Sequence, residues 1–159
     1  MKGTVTMNLG ECSIELRKRL AMEAKDAGVL AVLANDEEWV VRSAVANNSY
    51  TSQSDLTKLA KDIDRDVRIA VAKNSNTSQD DLSKLAKDKS SDVRYAVARN
   101  SNTSEADLSK LAEDEDYDVR YTVATNSNTS EADLTKLLED KSEFVRMAAK
   151  KSLKARTSK

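Results

Sequence analysis

A chain of 159 residues, 39% apolar and 33% charged, has the size of one domain that can bury a core, and its apolar residues are patterned rather than scattered. A net charge of −1 argues against a general polyanion binder. One cysteine, Cys12, and no histidine leave zinc or iron–sulfur chemistry almost without ligands, so no metal and no cofactor is expected. No stretch approaches the ~20 apolar residues of a membrane span, and the start, Met1-Lys-Gly-Thr-Val-Thr, lacks the apolar run of a secretion signal; a soluble cytoplasmic protein is expected.

Residues 1–29 read as an atypical N-terminal capping segment, a degenerate repeat. In it Leu16-Arg-Lys-Arg-Leu20-Ala reads as a second helix with Ser13 as its cap, and Gly28 ends the stretch that follows.

From residue 30 the chain repeats with a 26-residue step. Asn-Ser-Asn-Thr-Ser stands at residues 74, 100 and 126, and with one change at 48. Leu30, Leu56, Leu82, Leu108 and Leu134 keep the step, as do Leu33, Leu59, Leu85, Leu111 and Leu137. Five units therefore begin at 30, 56, 82, 108 and 134, the last incomplete. The nine residues from Asn100 and from Asn126 are identical, as in a recently duplicated or engineered array.

Each unit predicts two short helices. Ser78-Gln-Asp-Asp81 is a capping-box-like start, repeated at Ser52, Ser104 and Ser130. Leu82, Leu85 and Ala86 form one face of the first helix. Lys87 to Ser91 breaks the pattern, and a second helix runs from about Asp92 to Arg99 with Val93, Ala96 and Val97 inward. Asn100 follows, a residue that tolerates the left-handed conformation found after helices. There is no proline, and no glycine beyond Gly28, so Asn, Asp, Ser and Thr make the turns. Helices of about 8–10 residues do not persist alone; stacking neighbours supplies the core. Residues 30–152 thus form the solenoid and 153–159 a basic tail, all in a single domain.

The segment Val-Arg-x-Ala-Val-Ala-x-Asn-x-Asn-Thr, followed by a Leu-x-x-Leu-Ala helix, resembles the leucine-rich repeat variant, a bacterial helical solenoid. An Asp six residues before a Val-Arg pair is also similar to the HEAT repeat. The resemblance covers roughly residues 30–152. It implies an all-α, right-handed superhelix and, loosely, macromolecular binding. Where the variant family carries prolines in the turn, this chain has serines such as Ser75 and Ser78. The four-cysteine iron–sulfur cluster known in that family cannot be carried over to a chain with Cys12 alone.

Two charged columns recur at the bend. Asp36, Asp62, Asp88, Asp114 and Asp140 are each followed six residues later by Arg42, Arg68, Arg94, Arg120 and Arg146. They read as a structural ladder in which an Arg fork holds the Asp of its own unit and that of a neighbour. The Asn48, Asn74, Asn100, Asn126 column reads as capping. Lys58, Lys84, Lys110 and Lys136, each with an Asp three residues before it, read as a solvated face.

One column varies. At 100° per residue, the position opposite the inward face of the second helix reads Ser43, Ile69, Tyr95, Tyr121, Met147. Lys73, Arg99 and Thr125 flank it, and the bend adds Trp39 and Tyr117. By analogy with HEAT-type solenoids this would be the concave side. The column reads either as a binding stripe, rich in interface anchors, or as extra core packed on adjacent units. The first reading makes the chain a non-enzymatic protein- or peptide-binding scaffold, expected to be a monomer, with Trp39, Ile69, Lys73, Tyr95, Arg99, Tyr117, Tyr121 and Met147 as partner-binding residues. The alternative is a nucleic-acid-binding solenoid that uses Lys73, Arg99, Lys18, Arg19 and the basic tail; the acidic run from Glu113 to Asp116 stands against it. No catalytic residue is assigned: Ser, Cys and Lys candidates lack a histidine partner, and no glycine-rich phosphate loop exists.

Overall fold

The computed structural model describes residues 11–157. It contains α1 (Ile14–Glu23), α2 (Ala27–Leu33), α3 (Trp39–Asn47), α4 (Gln53–Leu59), α5 (Arg65–Lys73) and α6 (Gln79–Leu85). Then follow α7 (Ser91–Arg99), α8 (Glu105–Leu111), α9 (Tyr117–Thr125), α10 (Glu131–Leu137) and α11 (Glu143–Thr157). No strand occurs among the described residues, and none of their helices is long and apolar enough to cross a membrane. The architecture is an all-α stack of helix pairs. The first ten positions of the capping segment and the last two of the tail, Lys159 included, lie outside the described residues.

The first helices start where the serines predict. The N–H groups of Asp55, Asp81, Asp107 and Asp133 donate to the hydroxyls of Ser52, Ser78, Ser104 and Ser130 at 3.0–3.2 Å. Each serine returns its own proton to the carboxylate of that Asp. The second helices α5 and α9 are capped by Asp64 and Asp116, whose side chains accept from Asp66 N–H and Asp118 N–H.

The leucine and valine columns are the core. Leu30, Leu56, Leu82, Leu108 and Leu134 are fully buried, as are Val41, Val67, Val93, Val119 and Val145; burial of each such side chain stabilises by roughly 1.5–3 kcal/mol. Along the stack the second helices pack on one another, α1 on α3, α3 on α5, α5 on α7, α7 on α9 and α9 on α11. They therefore bury two flanks rather than one. This places Ala46, Ala72, Ala98 and Ala124 in the core with no exposure, positions that a one-sided helical wheel leaves out.

Two local expectations are corrected. The asparagines that follow the second helices are extended, with φ between −70° and −77°, and no described residue has a positive φ. The reason lies in the Asn side chain, which is held by the neighbouring unit. Gly28 does not end a stretch; it sits in the first turn of α2, where its N–H donates to the Asp26 cap at 2.7 Å. α1 does take the place of a second helix, and Ser13 accepts from Leu16 N–H at its start.

The last described helix departs from the pattern of the earlier second helices. α11 runs on to Thr157 instead of turning at residue 152. Ser152 stands where the asparagines stand, and its hydroxyl donates to the Ala124 carbonyl at 2.7 Å. Arg156 donates to the Thr129 and Ser127 carbonyls, as Asn128 donates to the Ser101 carbonyl one unit earlier.

Candidate binding interface on the second helices

Three polar ladders fix each unit on the next, and they set what the outward column can do. In the first, Arg42, Arg68, Arg94 and Arg120 grip Asp62, Asp88, Asp114 and Asp140 of the following unit through Nε at 2.6 Å and through NH2 at 2.8–3.1 Å. The expectation that the fork also holds the Asp side chain of its own unit is corrected. NH1 goes to that residue's backbone carbonyl, Arg68 to Asp62 O at 2.9 Å for example. Arg17 is a rung the repeat step hid: it grips Asp36 at 2.7 and 3.1 Å. It precedes Arg42 by 25 residues rather than 26. Arg146 keeps the carbonyl bonds, to Asp140 O and Lys141 O.

Burial pushes the Asp62, Asp88, Asp114 and Asp140 carboxyls up. The Arg forks, a backbone N–H to each and the Arg charges outweigh it and hold all four below the usual carboxylate range. The same forks raise Arg42, Arg68, Arg94 and Arg120, against the opposing effect of burial.

The second ladder is made by asparagine. Asn74 Nδ2 donates to Ala46 O and Asn48 O of the preceding unit, and Asn100 Nδ2 to Ala72 O and Asn74 O, at 2.7–3.1 Å. Their Oδ1 atoms accept from the N–H two residues on. Beside them Thr51, Thr77, Thr103 and Thr129, all buried, donate to the carbonyls of Val45, Val71, Val97 and Val123.

The third ladder joins first helices. Thr57, Ser83 and Ser109 donate to the carboxylates of Asp81, Asp107 and Asp133 in the next unit at 2.5–2.6 Å. These aspartates are buried. Burial raises their carboxyls, but these hydroxyls, the capping serines and the lysines three residues on win, and all three lie below their ordinary value. Lys84, Lys110 and Lys136 are exposed and reach the same carboxylates at 3.0–3.3 Å. The row is thus a solvated face only on its lysine side; Lys58 pairs instead with Asn35.

With the repeated polar residues committed to the junctions, the varying column remains. Tyr121 and Met147 are 43% and 62% exposed, whereas Ile69 and Tyr95 are half-buried against the core. Ser43 is half-buried; Lys73, Arg99 and Thr125 are exposed. Trp39 and Tyr117 are the first residues of α3 and α9, each exposed by about half.

The seam between α7 and α9 carries two depressions. One is lined by Tyr95 with Ser91, Asp92, Asp116 and Asp118; the other by Arg99 with Thr122, Thr125 and Ser127. Tyr95 and Arg99 are therefore not brought to one pocket. The sequence reading missed the carboxylates around Tyr95. It also missed Phe144, 68% exposed, which lies three residues before Met147 and so could have been found on the same helical face. Among the described residues no group of three His, Cys, Asp or Glu side chains could hold a metal ion.

The sequence matches no protein-family model and no curated protein. A solved structure described as a leucine-rich repeat variant with a novel repetitive structural motif aligns over 91% of this chain at TM-score 0.74 and 26% identity. The chain spans 57% of that protein's length. The Escherichia coli protein YibA aligns over 98% of this chain and 77% of its own, at TM-score 0.66 and 19% identity, a likeness of fold. Pairs of short helices at a fixed step, bound unit to unit, make this chain a helical repeat protein similar in fold to the leucine-rich repeat variant.

Proposed function

We propose that the chain is a non-enzymatic, monomeric scaffold of the cytoplasm that binds a protein or peptide on the outward face of its second helices. The surface comprises Trp39, Ile69, Lys73, Tyr95, Arg99, Tyr117, Tyr121 and Met147. The observation that carries this reading is the exposure of Tyr121 and Met147 in a column whose other large members, Ile69 and Tyr95, are rooted in the core. An exposed aromatic side chain held on a rigid helical face loses little entropy when it anchors a partner. The carboxylates of Asp92, Asp116 and Asp118 around Tyr95 repel phosphates and favour a polypeptide over a nucleic acid.

The test places a photo-activated cross-linking residue at position 121 or, as a control, at the exposed position 110, in the full chain inside its source cell. The reading expects discrete protein adducts from 121 and none from 110. It also expects their loss when Met147 is changed to Ser beside the probe. Equal adducts from both positions, or none from 121, would refute it.

A further inference from the structure

The seams between second helices are not equivalent, and one of them lacks a cation that its neighbour has. Between α5 and α7, Arg65 bridges two carboxylates. Its NH1 donates to Asp92 Oδ2 at 2.8 Å, and its Nε lies 3.5 Å from Asp66 Oδ1. Ile69 stands one turn further along α5, half-buried. Between α7 and α9 the same positions, 26 residues on, read Ser91, Asp92, Asp118 and Tyr95. The carboxylate pair is kept, the arginine is gone, and a tyrosine replaces the isoleucine. Asp116 adds a third carboxylate where the earlier seam has Ser90. These five residues line one depression.

The other seams do not offer the pair. Val40 replaces its first carboxylate between α3 and α5, and Phe144 its second between α9 and α11. Among the described residues neither Asp116 nor Asp118 forms an ion pair. Arg94 and Arg120 act on Asp116 only through space, because their forks are closed on Asp114 and Asp140. The Asp118 charge pushes the adjacent Tyr117 hydroxyl above its ordinary value. Arg65 takes only Oδ2 of Asp92, and a second guanidinium can share that carboxylate.

We infer that this depression takes an arginine side chain of a partner polypeptide. Its guanidinium bridges Asp92 and Asp118 as Arg65 bridges Asp66 and Asp92, and its flat face lies on the Tyr95 ring. The inference rests on the peptide-binding reading above and names the side chain that the surface selects. A guanidinium suits the site better than an ammonium, because its fork reaches two carboxylates at once and its plane stacks on an aromatic ring.

The test titrates a capped pentapeptide, arginine at its centre and glycine elsewhere, into the full chain. The Tyr95 ring and Asp118 amide resonances are followed by NMR, and saturable shifts are expected. Citrulline in place of arginine keeps the shape and loses the charge, and should weaken binding at least about 5-fold; lysine should weaken it about 2-fold or more. Asp118→Asn and Tyr95→Ile, which copies Ile69, should each weaken it about 3-fold. Ser91→Arg should fill the depression from within, as Arg65 does one seam earlier, and abolish the shifts without lowering the thermal midpoint. Absence of saturable shifts, equal binding of the citrulline or lysine peptide, or full binding by Ser91→Arg overturns the inference. Beside the cross-linking residue at position 121, Ser91→Arg should also cut the protein adducts several-fold. Undiminished adducts overturn the arginine site and leave the wider surface standing; peptide shifts without any adduct from 121 uphold the site and overturn the wider reading.

Discussion

Arg68 reaches past its own unit and closes on Asp88, 20 residues further on, with Nε 2.6 Å and NH2 3.1 Å from the two carboxylate oxygens. Both side chains are only 9% exposed. Asp62, which shares the unit with Arg68, gives it a backbone carbonyl instead, because its carboxylate is already taken by Arg42. The ladder therefore links units and does not brace them one by one. Asp88→Asn should cost on the order of 3 kcal/mol, since it leaves a buried guanidinium without its counter-charge. Urea unfolding measures this, and a loss below about 1 kcal/mol would mean that the pair behaves as an exposed one.

Acid should dissolve the ladders together. Asp62, Asp81, Asp88, Asp107, Asp114, Asp133 and Asp140 are all held below their ordinary value when folded. In the unfolded chain they titrate near ~3.9. The unfolded state then binds more protons in the window below that value, so stability rises with pH there. Their contribution is complete above ~3.9 and is lost as pH falls through the lower folded values. Urea midpoints should be level from pH 7 to about 5 and fall below about pH 4. The Asp88→Asn variant should show a shallower fall.

Asn100→Ala should be a costly change at a polar residue that carries no charge. Its amide satisfies Ala72 O and Asn74 O, and its Oδ1 takes the Asn102 N–H. Two buried carbonyls and one N–H lose partners, a cost of roughly 2–4 kcal/mol. Asn100→Asp should be at least as harmful, because it turns a carboxylate towards carbonyl oxygens. Recovery of wild-type stability in Asn100→Asp would show that the donor role is wrong.

The fold was legible because the same local signals return at one step: a capping Ser, two Leu, a Val-Arg pair, an Asn. Capping and periodicity are local, so a single unit discloses them. The junctions were less legible. That Asp and Arg form a ladder could be read, but which Asp each Arg holds depends on how units stack. The Asn column shows the same limit: its polar, turn-forming character was visible, while its extended backbone follows from carbonyls 26 and 28 residues earlier. Arg17 escaped because the step shortens by one residue before α3. On the outward face the wheel could not give the degree of burial, since flank-to-flank packing of second helices half covers Ile69 and Tyr95 and leaves Tyr121 and Met147 open.

That difference is itself testable. Tyr121→Ser should change stability by no more than about 0.5 kcal/mol, as for an ordinary surface position. Tyr95→Ser should cost about 1–2 kcal/mol, because part of its ring lies on the core. Thermal unfolding of the two variants compares them directly. An equal, large loss in both would make the whole column core and remove the binding surface.

The measurement that bears most directly on the account is a pair of double-mutant cycles on unfolding free energy. One pairs Arg68→Gln with Asp88→Asn, across the junction; the other pairs Arg68→Gln with Asp62→Asn, within the unit. The unit-to-unit ladder predicts a coupling of about 2 kcal/mol or more for Arg68 with Asp88 and less than about 0.5 kcal/mol for Arg68 with Asp62. The reverse order, or no coupling in either cycle, would contradict it.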